Sequence, residues 1–471
     1  MRVQQFRIKD NHQGLPLAEW RDESDRTFSD ENRNDLQLIA NTSVEELVKS
    51  SPELLVFPHN LNQNGDEIGK LHLIGLGKEK VTTGNLMGFI GVNGTQINIC
   101  SRFSQDDGND YFLHYMLCKV FRLNLFNLDY SISKDTTFDF LLYLFPHYLK
   151  KAMRQGLFKQ YQQKRYNDAN VRGVINVSRH IRENIPFRGT VSYDTREHSY
   201  DNSITQLIRH TIEYIRQKPL GRQILQNDAD TISCASQIVL ATPSYAQTNR
   251  QKVIHANVRP TIHPYFVDYT PLQRLCMQIL RHETIKYGKE KDKVYGILFD
   301  GAWLWEEYLN TVLHELGFHH PENKLQIGGF PMFKKQNEDD QISRNSRRLY
   351  PDFYHENNKD DVDFILDAKY KHLNNGIGRE DLYQVVSYMY CSKAPFGAYL
   401  YPFEFKQEST RYKLNGYGGD IIVYPFHVPQ KKQIENNKDW SFDQFVSLIN
   451  DNEKKLKEDI RSYIEKTPSN C

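Results

Sequence analysis

Asp367 and Lys369 are the residues whose types and spacing first suggest chemistry. They lie at the end of VDFILDAKYK (362–371), an apolar-weighted run that predicts a buried strand. Because side chains two residues apart on a strand point to the same face, the carboxylate and the ammonium group should project together. So short a motif, taken alone, is more often an ordinary ion pair at the end of a strand.

Asp352 supplies a second carboxylate. It ends the segment Tyr350-Pro351-Asp352, which a polar turn (355–361) separates from the strand of Asp367. The pattern predicts a hairpin that sets the two carboxylates side by side, although Pro-Asp is also common at strand edges and turns. Carboxylates held close together repel unless a cation lies between them, and their hard oxygen atoms suit Mg²⁺ or Mn²⁺. With Lys369 to neutralise charge, the trio suits phosphodiester hydrolysis.

Two predicted helices flank this site. In the helix WLWEEYLN (303–310), Glu306 or Glu307 could complete a metal shell, and a solvated acidic face is an equally good interpretation. In the helix DLYQVVSYMY (381–390), Gln384 and Tyr388 are four residues apart and share a face. That face could touch a metal-bound water or a DNA backbone, whereas a plain polar stripe is the alternative.

Basic side chains that could contact DNA occur in two places. Arg344, Arg347 and Arg348 precede the Pro-Asp segment, where they could hold a scissile strand. Lys164 and Arg165 lie in a basic stretch with interleaved tyrosines, LFKQYQQKRYNDANVRG (157–173). This stretch could follow phosphates, or it could be a solvated helix face.

Composition limits the class of protein. The chain has 471 residues, so several domains are expected. Its net charge is only +1, so binding to nucleic acid would have to rely on local patches of basic residues. Its six cysteines form no CxxC pair, which argues against a zinc ribbon or an iron–sulfur cluster and fits a reducing cytoplasm. No apolar run approaches the length of a membrane span. The sequence also lacks the phosphate-binding motif GxxxxGK[ST], so no P-loop NTPase domain is predicted.

The order of predicted elements divides the chain into three domains. Residues 1–110 predict a β-rich module, with a hairpin turn at Asn93-Gly94 and about 50 initial residues of uncertain structure. Residues 111–289 predict a mostly helical middle domain. Residues 290–471 alternate strands and helices, which indicates an α/β domain, and end in a helix over 441–465.

This series of motifs resembles the RecB-like branch of the PD-(D/E)xK nucleases. The resemblance rests on LWEEYL (304–309), LYPDFY (349–354), FILDAKYK (364–371) and DLYQVVSYMY (381–390). More narrowly, the chain resembles the McrC family, the nuclease subunits of McrBC-type and LlaJI-like restriction systems. GLFKQYQQKRYNDANVRGVINVSRHIREN (156–184) is similar to that family's middle segment, where a Tyr-basic helix leads into a strand, and GFIGVNGTQINICSRF (88–103) is similar to its N-terminal module.

The resemblance implies roles for these residues. Asp352 and Asp367 would be Mg²⁺ ligands with Glu306, which fits the family's helix glutamate better than Glu307, and Lys369 would be the catalytic lysine. Gln384 and Tyr388 would be accessory. The family also implies a partner, a hexameric McrB-type AAA+ GTPase that recognises modified double-stranded DNA and that the N-terminal part of the chain contacts and stimulates.

Two other functions are consistent with the residues. A stand-alone exonuclease of the RecB or Cas4 kind would need no partner, but the chain lacks the cysteine cluster of Cas4 proteins. A non-catalytic adaptor that activates an AAA+ ring would not need Asp352, Asp367 and Lys369. The sequence therefore favours a cytoplasmic DNA endonuclease subunit.

Overall fold

The computed structural model describes the chain in segments, which belong to two compact units. The described residues are 3–51, 54–58, 68–104, 110–121, 136–218, 221–226, 228–261, 263–286, 292, 294–321, 327–333, 347–357, 361–373, 376–416, 418–433 and 440–465. The chain divides into a terminal unit, Met1–Tyr130 with Ile285–Cys471, and a middle unit, Ser131–Thr284.

The N-terminal part of the terminal unit mixes short strands with helices. Its elements are β1 (Gln4–Lys9), β2 (Leu15–Pro16), α1 (Asp30–Gln37), α2 (Val44–Ser50), β3 (Leu54–Phe57), β4 (Ile74–Leu76), β5 (Lys80–Thr83), β6 (Leu86–Val92), β7 (Thr95–Cys100) and α3 (Tyr111–Val120). We call residues 3–104 the N-terminal module. Capping boxes at Ser29 and Ser43 start α1 and α2. The predicted hairpin turn is confirmed, since Val92 pairs with Thr95 and Asn93 has a φ of 49°.

The middle unit contains strands as well as helices. Its elements are α4 (Thr136–Met153), β8 (Gln160–Asp168), β9 (Val174–Ile175), α5 (Val177–Asn184), β10 (Val191–Ser199), α6 (Ser203–Arg216), α7 (Gly221–Leu225), α8 (Ala229–Ala241), α9 (Arg250–Ala256) and α10 (Tyr269–Lys286). The Tyr-basic helix implied for residues 156–172 is wrong. Residues 160–168 of this stretch form β8, because their backbone pairs with β10 from Gln160↔Ser199 to Asp168↔Val191.

The C-terminal part of the terminal unit alternates strands and helices, as predicted. Its elements are β11 (Val294–Asp300), α11 (Gly301–Leu313), β12 (Phe318–His319), β13 (Phe330–Pro331), β14 (Arg348–Leu349), β15 (Phe353–Glu356), β16 (Val362–Ala368), α12 (Arg379–Ser392), β17 (Phe396–Phe403), β18 (Thr410–Lys413), β19 (Asp420–His427) and α13 (Phe442–Ile464). The main sheet has the strand order β12-β15-β16-β17-β19-β18. Its centre, β16-β17-β19, is parallel and buried. The expected multidomain mixture of helices and sheets is confirmed.

β11 joins the two parts of the terminal unit. It pairs antiparallel with β6 from Val294↔Val92 to Asp300↔Leu86 and parallel with β3, in a sheet with the order β1-β7-β6-β11-β3. Val294 and Leu298 belong to the same hydrophobic core as the N-terminal module. The structure therefore groups the first and third predicted domains, because strands on both sides of residues 111–289 share one sheet and one core.

No helix in the described segments combines the length and the apolar composition that crossing a bilayer requires.

Candidate active site

Asp367 and Lys369 lie together at the carboxyl end of the buried strand β16. The Lys369 Nζ atom is 2.7 Å from Asp367 Oδ2, and the side chains are 17% and 1% exposed. The backbone N–H of Lys369 donates to the carbonyl of Leu400 at 2.9 Å, which continues the pairing of β16 with β17. The predicted shared face is therefore present, and the backbone of both residues is held by a central pair of strands.

Asp352 lies beside this strand end, in the hairpin that the sequence predicts. β15 pairs antiparallel with β16, with Phe353 opposite Leu366. The N–H of Ala368 donates to Asp352 Oδ2 at 2.7 Å, so the carboxylate touches the residue between Asp367 and Lys369. The structure thus brings Asp352, Asp367 and Lys369 into one place.

Burial and neighbouring charges shift the pKa values of Asp367 and Lys369. Burial, and then the negative charge of Asp352, raise the pKa of Asp367 to about 7, although Lys369 acts in the other direction. Burial alone would lower the pKa of Lys369, but Asp367, Asp352 and Asp381 raise it well above its usual range. Lys369 therefore stays protonated near neutral pH, while Asp367 is a carboxylate for which the protein supplies too little positive charge.

The trio has features that fit a divalent cation. Oδ1 of Asp367 accepts no hydrogen bond from the described residues, and Oδ2 has only its ion pair with Lys369. Buried carboxylate oxygens without donors are costly unless a cation satisfies them. Mg²⁺ is commonly bound through one or two carboxylates, with water and phosphate oxygens as its other ligands. Asp352 and Asp367 match that donor set.

Gln384 and Tyr388 face the trio from α12. Gln384 Nε2 donates to the Tyr388 hydroxyl at 2.9 Å, and this hydroxyl donates to the carbonyl of Tyr350 at 3.3 Å. Burial, together with the charges of Asp352 and Asp367, raises the pKa of Tyr388. The predicted pair thus shares a face, and its neutral hydroxyl lies within the electrostatic field of both aspartates.

Asp381 belongs to the site, although the sequence reasoning gave it no role. It lies in the first turn of α12, with Oδ1 3.4 Å from Lys369 Nζ and Oδ2 2.6 Å from Lys371 Nζ. Burial would raise the pKa of Asp381, but Lys371 and Lys369 lower it. Its position three residues before Gln384, on the same helix face, is a signal that could have identified it.

His320 is a second residue that the sequence reasoning missed. Its Nδ1 lies 2.7 Å from the carbonyl oxygen of Asp352, and its ring stacks on Phe353 with centroids 4.7 Å apart. Because a carbonyl only accepts hydrogen bonds, Nδ1 must carry the proton. No local pattern indicates this contact, since it joins residues 32 positions apart.

Glu306 and Glu307 lie half-buried on α11. Asp300 caps the N-terminus of this helix, because its side chain accepts a hydrogen bond from the N–H of Trp303 at 2.7 Å. Within the described segments, no group of three histidine, cysteine or acidic side chains is placed to hold a metal ion. Glu306 is therefore not brought into one shell with Asp352 and Asp367 in this structure, and its role stays a prediction.

The basic residues proposed for DNA contact lie in different parts of the molecule. Arg347 precedes β14 and Arg348 is its first residue; both are exposed, and the Arg348 guanidinium donates to the carbonyl of Gly329. Arg344 lies outside the described residues. Lys164 and Arg165 are exposed on β8 of the middle unit, where Lys164 Nζ is 3.6 Å from Glu197.

Comparisons with known proteins identify the family of the chain and a similar fold. Residues 81–402 match the protein family described as McrBC 5-methylcytosine restriction system component. The fold is similar to that of a chain in an assembly of Thermococcus gammatolerans McrB AAA+ hexamers with bound McrC, at a TM-score of 0.50 and 14% identity, covering 96% of this chain and 99% of that one. A chain of a T. gammatolerans McrBC complex matches at a TM-score of 0.32 and 15% identity, covering 66% and 87%. No curated protein matches significantly.

Proposed function

This chain belongs to the family of McrBC 5-methylcytosine restriction system components, and on that premise we propose that it is the DNA-cleaving subunit of such a system. The reaction would be Mg²⁺-dependent hydrolysis of a phosphodiester bond in double-stranded DNA. The sheet that contains β15, β16 and β17 would be the core of a PD-(D/E)xK nuclease domain.

The observation that carries the proposal is the trio at the end of β16. Two carboxylates and a protonated lysine converge there, and Oδ1 of the buried Asp367 has no hydrogen-bond donor among the described residues. Asp352 and Asp367 would hold the Mg²⁺ ion. When bound, such an ion lowers the pKa of water and stabilises charge on phosphoryl oxygens.

The chain's own groups would act around that centre. Lys369 keeps its proton and can donate to a phosphate oxygen, where its charge offsets the charge that develops in the transition state. Asp381 is a second carboxylate beside the Lys369 ammonium group, 3.4 Å from Nζ, in addition to Asp367 at 2.7 Å. The neutral Tyr388 hydroxyl, oriented by Gln384, could exchange its hydrogen bond to the carbonyl of Tyr350 for one to water or to the DNA backbone.

The chain would act with an AAA+ GTPase of the McrB type. Two observations support this: the sequence has no phosphate-binding loop of its own, and the similar chain of known structure is part of an assembly of McrB AAA+ hexamers with McrC. The partner would recognise modified DNA and hydrolyse GTP, and this chain would stimulate it and cut.

Asp367→Asn tests the proposal against a matched control. The substitution removes one charge at nearly constant volume, so cleavage should fall at least about 100-fold, whereas stimulation of the partner's GTP hydrolysis should persist. The control is Asp363→Asn on the same strand, because Asp363 is equally buried but pairs with His355 at 2.6 Å. If Asp367→Asn cuts as the wild type does, the site assignment is wrong.

A further inference from the structure

We infer that Tyr370, the residue after Lys369, is a positioning residue through which the N-terminal module sets the place of Lys369 in the active site. The inference rests on the proposed nuclease function and concerns how that site is held together.

Tyr370 is fixed by contacts with the N-terminal module. Its side chain is 7% exposed. Its hydroxyl lies 2.7 Å from the hydroxyl of Ser101 and 3.0 Å from the sulfur of Met87. The ring of Phe103 meets the tyrosine ring edge-on at 5.1 Å, and the Arg102 guanidinium lies 5.0 Å from the ring centroid. The ring and the hydroxyl are therefore both held by the segment that follows β7.

That segment is itself anchored. The Arg102 guanidinium forms hydrogen bonds with the buried carboxylate of Asp10, after β1, and with Asn85 Oδ1 at 2.7 Å, before β6. The N–H of Ser101 donates to Asp110, which caps α3. Since each of these groups is bound to a different element, Ser101 and Arg102 cannot shift without disturbing the module.

The helix that carries Glu306 begins against the same ring. A Cβ atom at residue 301 would lie only 2.6 Å from Cε1 of Tyr370, so Gly301 leaves the space that the ring needs. The N–H of Gly301 also donates to the carbonyl of Asn85 at 3.0 Å. The N-terminal module, the start of α11 and the end of β16 thus meet at Tyr370.

The consequence for the active site follows from the backbone. Tyr370 and Lys369 are consecutive residues just after β16, and the Lys369 side chain contacts Asp367, whereas the Tyr370 side chain contacts Ser101 and Phe103. The Lys369 ammonium group must keep its distances of 2.7 Å to Asp367 and 3.4 Å to Asp381, and its backbone is anchored to Leu400 on one side and to Tyr370 on the other. A displacement of about 1 Å can cost about 100-fold in rate.

Tyr370→Phe and Ser101→Ala test the inference, because each removes a hydroxyl from the same hydrogen bond. In the full chain with its GTPase partner, we expect each variant to lower kcat for Mg²⁺-dependent DNA cleavage about 10-fold and to leave KM for DNA within about two-fold of the wild-type value. The double variant should lose less than the product of the two single losses, since both changes remove the same hydrogen bond between Ser101 and Tyr370.

Tyr424→Phe is the matched control. The hydroxyl of Tyr424 on β19 donates to Asp459 on α13 at 2.9 Å, so this variant also loses a tyrosine hydrogen bond. Among the described residues, that hydroxyl makes no hydrogen bond to the trio or to the N-terminal module. It should keep the wild-type kcat. Equal losses in Tyr424→Phe and Tyr370→Phe, or a wild-type kcat in Tyr370→Phe, would overturn the inference.

Amide hydrogen exchange separates this inference from the proposed function. The N–H of Lys369 should exchange faster in Tyr370→Phe and Ser101→Ala than in the wild type and in Tyr424→Phe, whether or not the protein cuts DNA. Unchanged exchange would overturn the positioning role. Faster exchange in a protein whose wild type does not cut would keep the positioning role and contradict the proposed nuclease function.

Discussion

At the residue scale, the charge of Asp367 should lower the stability of the fold at neutral and alkaline pH. Burial raises its folded pKa to about 7, above the usual value of 3.8. The folded state therefore binds this proton more tightly than the unfolded state, and stability should fall as pH rises from about 4 through 7. In metal-free buffer, Asp367→Asn should melt above the wild type at pH 8 and at nearly the same temperature at pH 4.

Thermal denaturation with and without Mg²⁺ checks this prediction. Mg²⁺ should stabilise the wild type but not Asp367→Asn, because only the wild type offers the ion a second carboxylate. A variant that melts below the wild type at pH 8 would contradict the expected cost of the buried charge. We therefore expect Asp367→Asn to be more stable than the wild type but unable to cleave DNA, as is typical when a substitution removes a functional charge that costs stability.

His320 offers a sharper residue-scale test, because asparagine and glutamine imitate different nitrogens of its ring. The contact uses Nδ1, 2.7 Å from the carbonyl of Asp352. The amide nitrogen of asparagine can take the place of Nδ1, whereas that of glutamine reaches the place of Nε2. We expect His320→Asn to keep most of the cleavage rate and His320→Gln to lose about 10-fold. The reverse order in single-turnover assays would show that Nε2 is the important atom.

The sequence predicted those members of the site that local patterns connect. Asp367 and Lys369 follow from strand alternation, Asp352 from the hairpin, and Gln384 with Tyr388 from helical spacing. His320 could not be predicted, because its contact with Asp352 depends on how distant segments pack. Asp381 had the correct helical spacing, but nothing local showed that Lys369 and Lys371 would reach it.

At the element scale, Glu453 ties three helices together. It is 5% exposed on α13 and accepts hydrogen bonds from Tyr115 of α3 at 2.6 Å and from Tyr308 of α11 at 2.8 Å. Lys119 lies 3.1 Å from its other oxygen. Glu453→Ala should leave buried donors without an acceptor and reduce the free energy of unfolding by about 2–4 kcal/mol. Urea denaturation measures this change.

Two further variants should reduce the free energy of unfolding by smaller amounts than Glu453→Ala. Glu453→Gln keeps an oxygen for the two tyrosines and should cost about 1 kcal/mol. Lys457→Ala removes an ion pair of the same helix with Glu315, which is 65% exposed, and should cost less than about 1 kcal/mol. If the three variants unfold at the same urea concentration, the buried network does not hold α13.

The helices whose apolar residues recur at regular spacing were predicted, whereas strands β8 and β11 were not. The helices α11, α12 and α13 carry apolar residues at helical spacing and lie where the sequence places them. β8 was missed because its residues are polar and mostly exposed, so it lacks the apolar alternation of a half-buried strand. β11 was missed because its partners lie far earlier in the chain: Val294 pairs with Val92 of β6, and Gly296 pairs with Leu54 of β3.

At the scale of the whole molecule, the N-terminal module and the proposed nuclease domain are expected to fold only together. Every residue of β11 is buried, between β6 on one side and β3 on the other. A fragment of residues 290–471 would expose that strand and would lack the contacts of Tyr370 with Ser101 and Phe103. We expect this fragment to aggregate or to unfold without a cooperative transition.

Co-expression of residues 1–130 with residues 285–471 should restore a soluble complex, because together these fragments make up the terminal unit. Both sides of β11 would then be paired, and the core that Val294 and Leu298 share with the N-terminal module would be complete. Co-purification through a tag on one fragment, followed by thermal denaturation, measures the association. A fragment of 285–471 that is monomeric and unfolds cooperatively by itself would show instead that the shared sheet is dispensable, and that the nuclease sheet is a separate domain.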